Sequence, residues 1–277
     1  MKTVQMPDVP YPSDADWEYY LSFATPNLYF DEVAKGLREE NRFFADFRFL
    51  KLLKWYIDEY FSYDNERSRD LKEGDTLYRA RIYHAEEDTQ TKPSAFRGYG
   101  PKDSFVPPDS IRISNGRTNV AGIPCLYTAT SIATAIAEVT PDFDSKVSVA
   151  EIEVKAPIRI FNACATASGT TGEDTPIIAW RRNLKLAFTR VFNRPYIHAS
   201  DYVICQYICE ALKNMGYEGI AFRSAKVSVN SGSNKGINYS IFNYGKCEPV
   251  SSDIFSIEDI KYKLAKIVNG FYEPFKG

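Results

Sequence analysis

The stretch from Asn115 to Val139 puts an arginine, a tyrosine and a carboxylate at three successive element boundaries. Arg117 lies in a Gly-Arg-x-Asn turn, Tyr127 in a short apolar strand, and Glu138 at the end of an alanine-rich helix. An anion at a helix C-terminus opposes the macrodipole, at a cost of up to about 1 kcal/mol. Glu138 therefore either serves a site or points into solvent beside a lysine. Upstream, Arg79 and Arg81 alternate with Tyr78 and Ala80, so the two cations share one strand face. Guanidinium forks match phosphate geometry; a pyrophosphate is one partner that relieves their repulsion, and a wet edge strand is the other explanation. Arg117, in a turn to which Asn115-Gly116 supplies positive φ, could add a phosphate contact or simply face water. Tyr127 could stack on a flat heterocycle or sit half-buried in the core. Ser224, where "AFRSAK" leaves a strand, has a hydroxyl suited to orienting an amide or a ribose, or to the surface.

The elements that must position these residues follow from periodicity. Apolar residues at three- and four-residue spacing, among them Phe44, Phe47, Leu50 and Leu53, predict two or three helices up to about residue 62. Residues 62–75 are polar and charged and read as a linker. After them the texture changes: "TLYRARIY", "CLYTAT", "VSVAEIEVKAPIRIF", "GIAFRSA" and "NYSIFNY" read as strands. "SIATAIAEV", "TPIIAWRRNLKLAFTRVF" and "YVICQYICEALKNMG" have helical spacing, the last stopping at Gly216 in a fitting C′ position. "SIEDIKYKLAKI" predicts a closing helix. Residues 89–110, rich in Pro, Gly and Ser, predict a long irregular loop of the kind that binds ligands. No βαβ rhythm runs through the chain, so the fold class is α+β with a mainly antiparallel sheet, flanking helices and an N-terminal helical extension. The division expected is 1–74 as extension and linker and 75–277 as the main domain.

Composition narrows the function classes. The chain has 277 residues, 44% apolar and 25% charged, long enough to bury a core without disulfides or metal. A net charge of −2 gives no support to a nucleic-acid or membrane partner. The first 74 residues are acidic and the rest mildly basic, which favours an anionic small molecule in the larger part. Cys125, Cys164, Cys205, Cys209 and Cys247 form no Cys-x-x-Cys pair, and His84 and His198 stand alone, so neither a disulfide framework nor a metal site is expected. No signal peptide or 18-residue apolar run is present, and the chain reads as cytoplasmic. No Gly-x-Gly-x-x-Gly fingerprint follows a strand, and no Walker loop or Gly-x-Ser-x-Gly elbow occurs.

Taken in order, "LYRAR", "GRTNVAGIPCLYTATSIATAIAEV" and "YEGIAFRSAKVSVNSGSNKGINYSIFN" resemble the RES domain family, named for its Arg, Glu and Ser; the motif-bearing part covers about 75–250. The resemblance implies an ADP-ribosyltransferase-like fold and a toxin of a toxin–antitoxin pair that degrades NAD at the nicotinamide–ribose bond, by hydrolysis or phosphorolysis. It implies Glu138, Arg79 and Ser224 as catalytic residues, and Arg79, Arg117, Tyr127 and Ser224 as the NAD-binding set. NAD is then a substrate and no cofactor or metal is expected; a cognate antitoxin is the partner expected, and assembly into a homo-oligomer is left open. A protein ADP-ribosyltransferase using the same pocket and an inactive binding domain are the competing functions. The chemistry fits the residues: cleavage leaves an oxocarbenium-like centre that a carboxylate stabilises, and the cationic leaving group departs neutral without a general acid. The acidic helices at the N-terminus, expected to dock a partner or to cover the sheet, and the long insert between Arg79 and Arg117 depart from the simplest family members.

Overall fold

A computed structural model of the chain describes residues 9–42, 47–61, 69–84, 98–106, 113–164, 175–194, 198–227, 236–259, 265–268 and 271–274. The N-terminal helices are α1 (Asp14–Leu21), α2 (Pro26–Glu39) and α3 (Phe47–Trp55), the last running into a π-helical turn over Tyr56–Phe61. Ser13 caps α1 in a capping box with Asp16. The buried Asp16 carboxylate then accepts from Lys51 on α3 (2.9 Å), which fixes the two helices together. The main sheet follows as β1 (Thr76–Ile82), β2 (Leu126–Ala129), β3 (Lys146–Val154), β4 (Ile160–Ala163), β5 (Gly219–Arg223), β6 (Ile237–Ile241) and β7 (Cys247–Ser256). Between them lie α4 (Ile132–Val139), α5 (Pro176–Asn193) and α6 (Val203–Asn214). A separate hairpin pairs β8 (Ala265–Val268) with β9 (Phe271–Pro274).

The strand order is β4-β5-β6-β2-β1-β3-β7, antiparallel throughout except for β4 and β5. That parallel pair is joined by a crossover through α5 and α6, the one place where the chain departs from the expected antiparallel connectivity. The sheet is tightly laddered on one side of β1, where seven residues pair with β3, from Thr76 opposite Glu153 to Ile82 opposite Val147. On the other side β1 meets β2 only at Tyr78 opposite Ala129. The two strands diverge from that point, and the seam between them opens. At the far edge β7 is shifted in register against β3 at Glu151/Ile152 and carries Pro249.

Alternation assigns the two faces of the sheet. Ile237, Tyr239 and Ile241 of β6 join Leu126, Ile152 and Val154 in one apolar cluster, while Asn238 and Ser240 turn to the other side. On that other side Phe161, Ile220 and Phe222 meet α5, α6 and all three N-terminal helices in a second, larger cluster. Phe30 of α2 packs edge-on against Phe188 of α5 (4.9 Å between centroids), and Tyr56 stacks on the same ring at 4.5 Å. Arg181 of α5 lies between Trp17 (4.1 Å) and Trp55 (4.8 Å), a cation held by two aromatic faces. The N-terminal helices thus share a core with the helices that follow β4.

Two expectations need revision. The closing helix is replaced: Ser256 ends β7, Ile257–Asp259 are not helical, and β8 occupies Ala265–Val268, with 260–264 outside the described residues. The spacing of "SIEDIKYKLAKI" is amphipathic, but ladder pairing to β3 and β9 takes its two ends. The polar linker is also bound where it is described. Leu71 exchanges backbone hydrogen bonds with Ile158 (3.1 and 3.0 Å), and Asp70 accepts from the Ile160 amide at 2.7 Å. Residues 62–68, and 89–97 and 107–110 of the expected long loop, lie outside the described residues. The five cysteines are buried, and burial pushes the Cys164 and Cys247 thiols up to about 11.

Because Phe30 is 2% exposed and its partners lie across the helix layers, Phe30→Ala should cost about 3–5 kcal/mol, as large-to-small changes in packed cores do. Chemical denaturation should give a single transition shifted as a whole. Two separate transitions, with only the first moved, would mean that the N-terminal helices fold apart from the sheet.

Candidate functional site

The divergence of β1 from β2 creates a cavity of about 520 Å3, inside the range of about 300–1,000 Å3 typical of small-molecule sites. β1 contributes Tyr78, Arg79 and Ala80 to its walls, β2 contributes Tyr127, Thr128 and Ala129, and α4 contributes Ala135 and Glu138. Arg117, Tyr202, Phe222 and Asn238 complete the polar and aromatic lining used below. Four of the five residues singled out in the sequence therefore meet in one cavity: Arg79, Arg117, Tyr127 and Glu138.

Ser131 caps α4, its hydroxyl accepting from the Thr134 amide, and Thr140 ends the helix in the left-handed region at φ 49°. That short helix delivers Glu138 to the cavity rim. Its Oε1 accepts from the Ser224 hydroxyl at 2.5 Å and from Asn238 Nδ2 at 2.7 Å. Both donors come from strand ends across the sheet, and together they fix a carboxylate whose helix end offers it no help. Oε2 has no protein partner among the described residues. Ser224, 7% exposed, does not line the cavity. Its hydroxyl donates to Glu138 and accepts from the Lys226 amide at 3.0 Å, so it stands behind the carboxylate as a positioning group.

Arg79 and Arg81 leave the strand together but part at their ends. Arg81 lies 4.0 Å over the Tyr99 ring and donates to the Asp103 carbonyl (3.2 Å), outside the cavity. Arg79 Nη1 donates to the Tyr127 carbonyl (3.2 Å), beside the point where the ladder between β1 and β2 stops. Its remaining donors have no acceptor among the described residues, and burial lowers its pKa from the usual guanidinium value. A guanidinium stays charged in a protein, so this cavity holds a partly desolvated cation that is paired with no carboxylate among the described residues.

The turn at 115–119 is built differently from the sequence expectation. Gly116 has no positive φ; a Cβ there would collide with the Tyr127 hydroxyl and Asn119 Oδ1. Tyr127 explains the close approach. Its hydroxyl donates to Asn119 Oδ1 (2.7 Å) and accepts from the Thr118 amide (2.9 Å), and Thr118 Oγ1 lies 2.9 Å away. Thr118 Oγ1 is in turn bonded to Ser240 on β6. The phenol is raised well above its ordinary pKa by burial first and stays neutral. Tyr127 thus anchors the turn with its tip and offers the cavity its ring. Arg117 leaves that turn to donate to the Arg194 carbonyl (3.0 Å), 5.5 Å over the Tyr202 ring.

Asn238 and Tyr202 carry no functional expectation in the sequence. Asn238 had a signal: in "INYSI" it is a polar residue set among apolar neighbours in a buried strand, where an amide needs a partner. Tyr202 had none, since its place depends on the 3-10 turn (Ala199–Tyr202) leading into α6. Among the described residues no group of three or more His, Cys, Asp or Glu is arranged to hold a metal ion, and no helix is long and apolar enough to cross a membrane.

Comparison with known proteins gives a family model described as the RES domain, matching residues 76–263. No curated protein matches the chain. Among solved structures, the crystal structure of the M. tuberculosis MbcT–MbcA toxin–antitoxin complex is similar at 13% identity, covering 69% of this chain and 88% of that one with a TM-score of 0.37.

Two glycines should respond oppositely to a methyl group. Gly116→Ala forces Tyr127 or Asn119 out of place and should lower stability by about 1–3 kcal/mol, the usual cost of overpacking. Gly36→Ala, inside α2 with nothing within 4 Å of the new Cβ, should raise it by about 0.5–1 kcal/mol. Thermal denaturation of the two variants checks both signs.

Proposed function

The chain belongs to the RES domain family, and from that premise we propose that it cleaves the nicotinamide–ribose bond of NAD, as the toxin of a toxin–antitoxin pair held in check by a cognate antitoxin. The observation that carries this reading is the meeting of two guanidinium groups, an aromatic ring and a fixed carboxylate in one cavity. Arg79 and Arg117 hold the diphosphate; Arg79, paired with no carboxylate among the described residues, gains an anionic partner when the dinucleotide binds. The ring of Tyr127 packs against a flat face of the substrate.

Glu138 acts at the sugar. In the reaction the bond from ribose C1′ to the pyridinium nitrogen breaks, and its electron pair neutralises the nicotinamide. Positive charge develops on C1′ and the ring oxygen. The Glu138 carboxylate stabilises that charge, with Oε2 free to accept from a ribose hydroxyl. Ser224 and Asn238 do not touch the reacting atoms; they hold Oε1 so that the carboxylate is oriented before the substrate arrives. Water or phosphate then bonds to C1′, giving ADP-ribose or its phosphate ester and releasing any proton to solvent. Since the leaving group departs neutral, histidine has no proton to supply.

Glu138→Gln is the decisive variant, because glutamine keeps an oxygen for the Ser224 and Asn238 donors and removes only the charge. Nicotinamide release from NAD by the purified protein should fall by about 100-fold or more, the scale seen on removing one electrostatic stabiliser, while affinity for ADP is kept. Products resolved by mass, with and without phosphate, identify the acceptor. The reading fails if the wild-type protein releases no nicotinamide under either condition; release only in the presence of a protein acceptor would mean ADP-ribosyl transfer instead.

A further inference from the structure

We infer that Gln206 and Arg42 are positioning residues for the turn that carries Arg117, so that the N-terminal segment sets how tightly the pocket grips a diphosphate. The inference rests on the pocket reading above and links Gln206, inside the family-matched 76–263, to Arg42, outside it.

Gln206 lies in the first turn of α6 and is 2% exposed. Its amide nitrogen donates to the Gly116 carbonyl (2.8 Å) and the Asn119 carbonyl (2.9 Å), the two that bracket Arg117 and Thr118. Its Oε1 accepts from Arg42 Nη2 at 2.5 Å. Turning the amide over would set its oxygen against two carbonyls and its nitrogen against a cation, so one orientation survives. Arg42 reinforces that orientation: without it, Oε1 loses its charged donor and the amide is held through its nitrogen alone.

The turn is anchored from the sheet and from α6. Tyr127 holds it from β2 through Thr118 and Asn119, and Gln206 holds it from α6. Arg42 reaches Gln206 from beyond the end of α2, across a cavity of about 480 Å3 whose walls include Arg38, Asn41 and Asn115. The apolar faces of α2 and α6 pack together in the shared core, and at Arg42 a charge-assisted hydrogen bond is added to that packing. A second route exists, from Asp31 on α2 through Arg194 Nη1 (3.1 Å) to the carbonyl that accepts from Arg117. Asp31 is 54% exposed there, and an exposed ion pair contributes little. Of these two polar routes, the one through the buried Gln206 is the stronger.

The test uses the full-length protein, with the dissociation constant for ADP measured by calorimetry and KM and kcat for NAD measured at steady state. Arg42→Ala should raise both the ADP constant and KM about five- to tenfold, the value of roughly one ordinary net hydrogen bond, with kcat unchanged. Arg42→Lys keeps a cationic donor for Gln206 and should recover most of the loss. Lys54→Ala, which breaks an exposed pair with Asp58 elsewhere in the same segment, should leave all three constants at wild-type values. Wild-type constants for Arg42→Ala, a loss that Arg42→Lys does not recover, or an equal loss in Lys54→Ala would each overturn the inference. Should Arg42→Ala not fold, Arg42→Gln keeps a neutral donor: an intermediate rise supports the inference and wild-type constants overturn it. If the wild-type protein neither binds ADP nor releases nicotinamide, the pocket reading has failed and this inference falls with it; if it does both and only the variants are indifferent, this inference falls alone.

Discussion

The single paired position between β1 and β2 is the constraint on which the site depends. A continuous ladder there would close the sheet and leave no room between Tyr78 and Tyr127. Because the strands part after Tyr78 and Ala129, the Arg79 side chain takes the Tyr127 carbonyl beside the break, and a cation enters a partly dry place. The rest of the arrangement compensates for that opening. β1 is held by seven paired residues on its other side, and β2 by four paired with β6, so each strand has a full ladder away from the gap. The cavity costs the sheet one seam and leaves its remaining order intact.

Much of this was legible in the sequence, for reasons that can be named. α4 was readable because Ser131 is a sound N-cap, the helix interior is rich in alanine, and Glu138 is out of place at its end. α6 and its stop were readable because Gly216 takes a positive φ of 80°. The strands bearing Arg79, Tyr127 and Asn238 follow from alternation and β-branched or aromatic residues. What could not be read is which residues meet across long separations. Ser224 looked like a substrate contact, yet its hydroxyl is committed to Glu138, a pairing over 86 residues of chain. Gly116 looked like a turn former chosen for its φ, yet it is the neighbouring Tyr127 hydroxyl that excludes a side chain. The closing helix failed because strand partners elsewhere outweighed a local period, the ordinary way in which tertiary pairing overrides propensity.

The N-terminal segment shows the same dependence at larger scale. Its composition, acidic and amphipathic, is compatible with a detachable appendage. Its packing is not: Trp17, Phe30 and Phe49 are buried among residues of α5 and α6, and Arg181 threads between two of its tryptophans. The helices therefore contribute to the same apolar layer that supports β4 and β5. Through Arg42 and then Gln206 the segment is also connected to the turn on the pocket wall.

The outer border of the sheet has a meaning of its own. β7 ends the strand order, and among the described residues no strand pairs with its outer side, the kind of border that recruits foreign chains into fibrils. Pro249 withholds an amide hydrogen from any newcomer, the register slip at Glu151/Ile152 bends the rim out of line, and Glu248 and Asp253 place negative charge along it. A second molecule finds a poor template on such a strand.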